Sequence, residues 1–146
     1  MMKKLFVVAV VVLSSLLSLQ VEARNDLVTL ELKPVMESNK AKEALLDVPV
    51  YFAGQSHPEV AQSMGVVTTS RKTNALNKSD REACEWVLLS ALKVLQDNAR
   101  DNGYDAVINI KSNYEHNEFS SAEEFQCGAG FLMAGVALKG EVVKFK

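Results

Sequence analysis

From Arg81 to Gln96 the chain reads REACEWVLLSALKVLQ, with apolar residues returning at helical spacing. That period predicts an amphipathic helix. Ser79 and Glu82 open it as a capping box, in which Ser79 can accept the Glu82 backbone N–H and Glu82 can reach back. Asp80 adds negative charge at the positive end of the helix dipole. The helix should run to about Arg100, because Asn102-Gly103 tolerate a left-handed stop. Its buried stripe reads Cys84, Val87, Leu88, Ala91, Leu92 and Leu95, trailed by Ala99. Glu82, Glu85, Lys93, Asp97 and Arg100 are expected to face water. Trp86 lies beside the stripe, as a core residue or as a partner-binding aromatic.

Strand signals surround this helix. LVTLEL (27–32) alternates and carries β-branched residues. Pro34 can start a short helix in PVMESNKAKEALL, ending at Leu46. VYFA (50–53) and MGVVTTS (64–70) read as strands, separated by a turn at GQSHPE. RKTNALNKSD (71–80) reads as a polar loop. YDAVINIKS gives another strand, and 113–124 a polar hairpin loop. FQCGAGFLMAGVAL (125–138) reads as one long strand, with Gly128, Gly130 and Gly135 marking a bulge or a close approach of the helix backbone. Lys139-Gly140 reads as a turn before a last strand, EVVKFK. The expected class is α+β: one long helix packed on a mostly antiparallel or mixed sheet, with a second short N-terminal helix.

The chain start changes the setting. Lys3 and Lys4 precede an apolar run over residues 5–19, and Val21-Glu22-Ala23 offers small residues for cleavage. This predicts a secretory signal peptide over 1–23 and a single domain over 24–146. An uncleaved anchor is the alternative. With no cysteine beside the cut, no lipid anchor is expected. The pattern suggests bacterial export, to the periplasm or outside the cell. Losing Lys3, Lys4 and Glu22 moves the formal charge from −2 to −3. The remaining charges are mixed, which argues against nucleic-acid binding.

Export bears on the cysteines. A lone pair in an exported domain is expected to be bonded, and Cys84 faces inward from the helix towards the strand that holds Cys127. A structural disulfide is the main reading. The alternatives are a redox site, which lacks its C-x-x-C pattern, and a thiolate working with His57 or His116.

Other chemistry is sparse. His57 in QSHPE and His116 in YEHNEF are the two histidines, each with carboxylates near it in sequence. A zinc site would need them to converge with further ligands; the other reading is two exposed loop residues. Lys72, Asn74, Asn77 and Lys78 crowd the approach to the long helix and form a candidate anion loop, against a solvated loop whose asparagines bond their own backbone. GAGFLMAGVALKG is glycine-rich but lacks G-K-[ST]. No catalytic triad or acidic pair stands out, and no cofactor is expected.

The blocks KTNALNKSDREACEWVLLSALKVLQ, NARDNGYDAVINIKS and EFQCGAGFLMAGVALKGEVV resemble a family of small exported bacterial proteins. Its members are often labelled "excinuclease ATPase subunit", a label that finds no phosphate-binding loop here. More remotely, the helix, Gly103, AVINI and AGVAL resemble YbjQ-type domains and the envelope stress sensor RcsF. That resemblance implies a YbjQ/RcsF-like helix-on-sheet fold, a structural staple at Cys127, and self-association through sheet edges. The expected function is a non-catalytic interaction or structural module of the cell envelope, acting on an envelope protein or on itself. The alternative is a small-ligand or metal-binding periplasmic protein.

Overall fold

The computed structural model describes residues 24–146; the expected signal peptide at 1–23 lies outside the described residues. The order is β1 (Asn25–Glu31), α1 (Leu32–Met36), α2 (Asn39–Ala44), β2 (Val50–Phe52), β3 (Val60–Asn74), α3 (Asp80–Asp101), β4 (Ala106–Tyr114), β5 (Asn117–Phe119), β6 (Glu124–Gly130) and β7 (Met133–Phe145). The strands form one seven-stranded sheet that branches at β7. Along one side, β7 pairs with β3 over its whole length. Along the other it pairs first with β6, then with β4. Strand β1 extends the β6 branch, and β2 and β5 extend the β4 branch. All pairings are antiparallel except β2 with β4. This is the expected α+β class.

Helix α3 forms as the spacing predicts. Ser79 caps it by accepting the Glu82 N–H at 3.1 Å. The stripe Cys84, Val87, Leu88, Ala91, Leu92, Leu95 and Ala99 is fully buried, and Ala83 and Leu89 widen it. The stripe meets Phe125, Cys127 and Ala129 of β6 and Val136, Leu138 and Val142 of β7 in one core. Glu85, expected in water, is mostly covered and pairs with Lys40 of α2 at 3.4 Å. Lys40 also lies over the half-buried Trp86 ring, 5.4 Å from its centroid. Trp86 therefore sits at the seam between the helices.

The N-terminal helix is two helices. Ser38 divides them: its hydroxyl donates to the Val35 carbonyl at 2.6 Å and accepts from the Ala41 N–H at 3.2 Å. One side chain thus closes α1 and caps α2. Strand β3 begins before and ends after the expected span, running to Asn74 through the residues read as loop. The long strand expected over 125–138 is a hairpin, β6 and β7, that turns at Phe131-Leu132. Lys139-Gly140 is not a turn, and β7 runs straight through it. Opposite it, Asn109 adopts φ 51° at an irregularity in β4. The extra residue brings Val107 and Ile110 together into the main core. A side chain at Gly140 would lie 2.7 Å from Val107 and 3.0 Å from Ile110, so the glycine makes room for the bulge.

Two links tie the helices to the sheet. Cys84 and Cys127 are bonded, with Cα atoms 5.9 Å apart and both residues buried. The bond pins the second turn of α3 to the middle of β6. Gln96, also buried, accepts from the Leu46 N–H at 2.9 Å and donates to the carbonyls of Leu46 and Val48 at 3.0 and 2.8 Å. It clamps the connection between α2 and β2 onto α3.

Two outcomes follow. Reduction and alkylation should lower unfolding stability by about 4 kcal/mol, the chain entropy released by opening a loop of this separation; chemical denaturation with and without reductant measures it, and two thiols titrating in the untreated protein would contradict the bond. Gln96→Leu keeps the volume but strands one N–H and two carbonyls. It should destabilise by roughly 2 kcal/mol, against little change if the clamp is idle.

Candidate interaction surface

One face of the sheet is covered by α3. On the other, Leu27, Gly128, Gly135 and Lys72 form a row across β1, β6, β7 and β3. The two central glycines leave a flat floor, and Tyr114 from the end of β4 lies on it. A Cβ at Gly128 would fall 2.2 Å from the Tyr114 ring, so any side chain there would displace the tyrosine. The Tyr114 hydroxyl donates to Asn25 Oδ1 at 2.9 Å, which fixes the ring over the floor. The glycines thus accommodate a tyrosine and not the helix backbone. Beside the ring runs a groove of about 660 Å³, lined by Lys72, Tyr114, Glu115, Phe131, Met133 and Gly135 among others.

At the end of this groove the β6–β7 turn projects Phe131, Leu132 and Met133, which are 69%, 58% and 47% exposed. Ala75 N–H donates to the Leu132 carbonyl at 2.8 Å, so the turn after β3 is fastened to this tip and brings exposed Leu76 beside it. Arg24 closes the other side. Its guanidinium donates to the Gly130 carbonyl at 3.2 Å and to Asp80 at 2.6 Å. The hydrogen bond from Arg24 to Asp80 holds the guanidinium pKa above its ordinary value, with smaller support from the charges of Asp80 and Asp26.

Strand β3 supplies a second open feature. β7 pairs with one of its edges, and among the described residues no strand pairs with the other. Its register shifts between Val60 and Gln62 and again between Ser63 and Gly65. Gly65 there has φ 101°, and its N–H donates to the Ser63 hydroxyl at 3.0 Å. Such irregularities twist an edge away from pairing. Beyond them, Val66 to Ser70 is regular, uncharged and rich in β-branched residues, and Val66 is 62% exposed. Arg71 and Lys72 restore charge.

The candidate anion residues are divided. Lys72 lies on the sheet face away from α3. Asn74 Oδ1 accepts from Leu76 N–H at 2.8 Å, and Lys78 Nζ donates to the Asn74 carbonyl at 3.0 Å. Asn77 takes a left-handed φ of 61° in the turn. Asn74 thus shapes its own loop, as asparagines do. The histidines are separated too. His57 stacks on Phe145, whose N–H donates to Asp105 just before β4. His116 follows Tyr114 at the other end of β4. Nine residues of strand span about 30 Å, whereas two ligands of one zinc lie about 4 Å apart. Among the described residues no three His, Cys, Asp or Glu side chains converge. Both cysteines are consumed by the disulfide, which leaves neither as a thiolate.

Near His116, Glu118 accepts from Lys139 and lies 3.8 Å from Lys111. The Lys139 hydrogen bond and charge, then Lys111, hold this exposed carboxylate below its usual range. Its stabilising effect is present at neutral pH and is lost as pH falls through the lowered pKa.

An open sheet edge was expected from the resemblance, though not which strand would carry it; the apolar tip was the feature sequence reasoning missed. The signal for the tip was present as three consecutive apolar residues after Gly130. No described helix is long and apolar enough to cross a membrane. The chain matches no family model, no curated protein and no solved structure.

Proposed function

We propose that this chain is an exported protein of the bacterial cell envelope, resident in the periplasm, and that its domain is a non-catalytic interaction module. The signal-peptide pattern over 1–23 supports export, and the Cys84–Cys127 bond is consistent with an oxidising compartment outside the cytoplasm. The resemblance to small exported bacterial proteins, and more remotely to an envelope stress sensor, points the same way.

The observation that carries the module reading is the edge of β3. A regular, uncharged strand edge offers its backbone N–H and C=O groups to an added strand. The bulges before Val66 and the charges after Ser70 limit that offer to a short stretch. Short stretches suit reversible pairing with a second copy or with an extended segment of another envelope protein.

A second reading, small-ligand binding, is favoured by the groove beside Tyr114, where Lys72 and Arg24 supply positive charge and Glu115 negative charge to an otherwise uncharged lining. Anion-dependent thermal stabilisation that disappears in Lys72→Ala would support it.

The edge reading is tested on the exported protein by light scattering across a concentration range. The unmodified protein should gain mass with concentration. Val66→Lys combined with Thr68→Lys should weaken that association at least about a hundredfold, since like charges meeting across an interface cost several kcal/mol, and should leave the melting temperature unchanged. A protein that stays monomeric at every concentration, and gains no protection at β3 from envelope extracts, contradicts the reading.

A further inference from the structure

The tip of the β6–β7 hairpin has a different chemistry from the β3 edge. Three consecutive residues, Phe131, Leu132 and Met133, project from a tight turn, and Leu76 stands next to them at 42% exposure. Four large apolar side chains on one convex corner leave water only when something soft or concave receives them. Behind the corner stand cations. Lys72 lies in register with Gly135, two residues along β7 from Met133. Lys78 is held in the adjoining turn by its bond to the Asn74 carbonyl. Among the described residues neither lysine has a carboxylate within ion-pairing distance, whereas the acids Asp26 and Asp80 are both engaged by Arg24. Glu115, on the far rim of the groove, is the opposing charge nearby.

An apolar tip with a cationic collar matches the chemistry of an anionic lipid interface, where acyl chains take the apolar groups and phosphates meet the lysines. Arg24, which follows the expected cleavage site after Ala23, is bonded to Gly130 in this same hairpin.

We propose that the Phe131–Met133 tip, with Leu76, Lys72 and Lys78, docks the protein reversibly onto an anionic phospholipid surface. The contact is peripheral and spans nothing. It does not rest on the β3 edge: a protein that never pairs through β3 can still dock, and the reverse also holds.

The test is sedimentation of the exported, processed protein with vesicles of phosphatidylcholine alone and with vesicles in which part of it is replaced by phosphatidylglycerol. Binding should require phosphatidylglycerol and weaken with salt. Lys72→Gln and Lys78→Gln should each reduce it about fivefold. Phe131→Ser and Leu132→Ser should each reduce it about tenfold, with an unchanged melting temperature and an intact disulfide. Phe131→Trp gives a positive readout: its emission should shift to the blue when phosphatidylglycerol vesicles are added. Equal sedimentation with both vesicle types, no sedimentation with either, or full binding by Phe131→Ser with Leu132→Ser would overturn the proposal. So would a tip variant that changes only the mass of the protein in solution, which would assign the tip to a second copy of the chain.

Discussion

The structure depends on one strand serving three neighbours. β7 is paired along one side by β3, and along the other by β6 and then β4. A strand so placed must be accommodating in different ways along its length. Near Met133 it closes a tight hairpin, at Gly135 it lies flat under a tyrosine, and at Gly140 it leaves space for a bulge. Its remaining inward residues, Val136, Leu138 and Val142, supply the floor on which α3 rests. The Cys84–Cys127 bond then joins α3 to the β6 branch, so the second turn of the helix stays beside the sheet while the bond is intact.

This arrangement also decides what remains open. Because α3 lies on one face, the face bearing Gly128, Gly135 and Tyr114 carries no helix among the described residues, as antiparallel sheets allow. It is closed only at its far end, where Ala106, Ile108 and Val143 are buried with Tyr51, Val60 and Phe145. Because β7 spends both edges on its neighbours, β3 ends the sheet. Because β6 turns into β7 through Phe131-Leu132, apolar side chains are set on a corner and not in the core. The open edge, the shallow groove and the corner follow from how β7 is shared. The proposed interaction role is the reading that uses such surfaces.

Much of the core was legible because its signals are local. The period and cap of α3 lie within one continuous segment, and the inward position of Cys84 followed from that period. Cys127 could be paired with it once export was inferred. Elements fixed by distant partners were harder. Phe131-Leu132 carries none of the usual turn residues, so the hairpin read as one strand. Arg71 to Asn74 are polar because β3 has solvent beside it, and they read as loop. YDAVINIKS read as a strand, but the irregularity at Asn109, which turns both Val107 and Ile110 to the main core, has no local signal. Gly140 suggested a turn when its role is to face that bulge.

The candidate site was less legible than the core. An unpaired edge is a property of the whole sheet and has no motif. His57 and His116 looked combinable only because their distance along β4 is invisible before the strand is known. Lys72 and Lys78 are close in sequence, yet one lies on the open sheet face and the other in a turn.

The proposed role makes the stretch from Val66 to Ser70 an open edge that receives a strand. Hydrogen exchange resolved by peptide, on dilute and on concentrated protein, tests it directly. The outward amides of this stretch should exchange quickly when dilute and become protected as association proceeds, while β7 and α3 stay protected throughout. Full protection of β3 in the dilute monomer, or fast exchange there under both conditions, would contradict it.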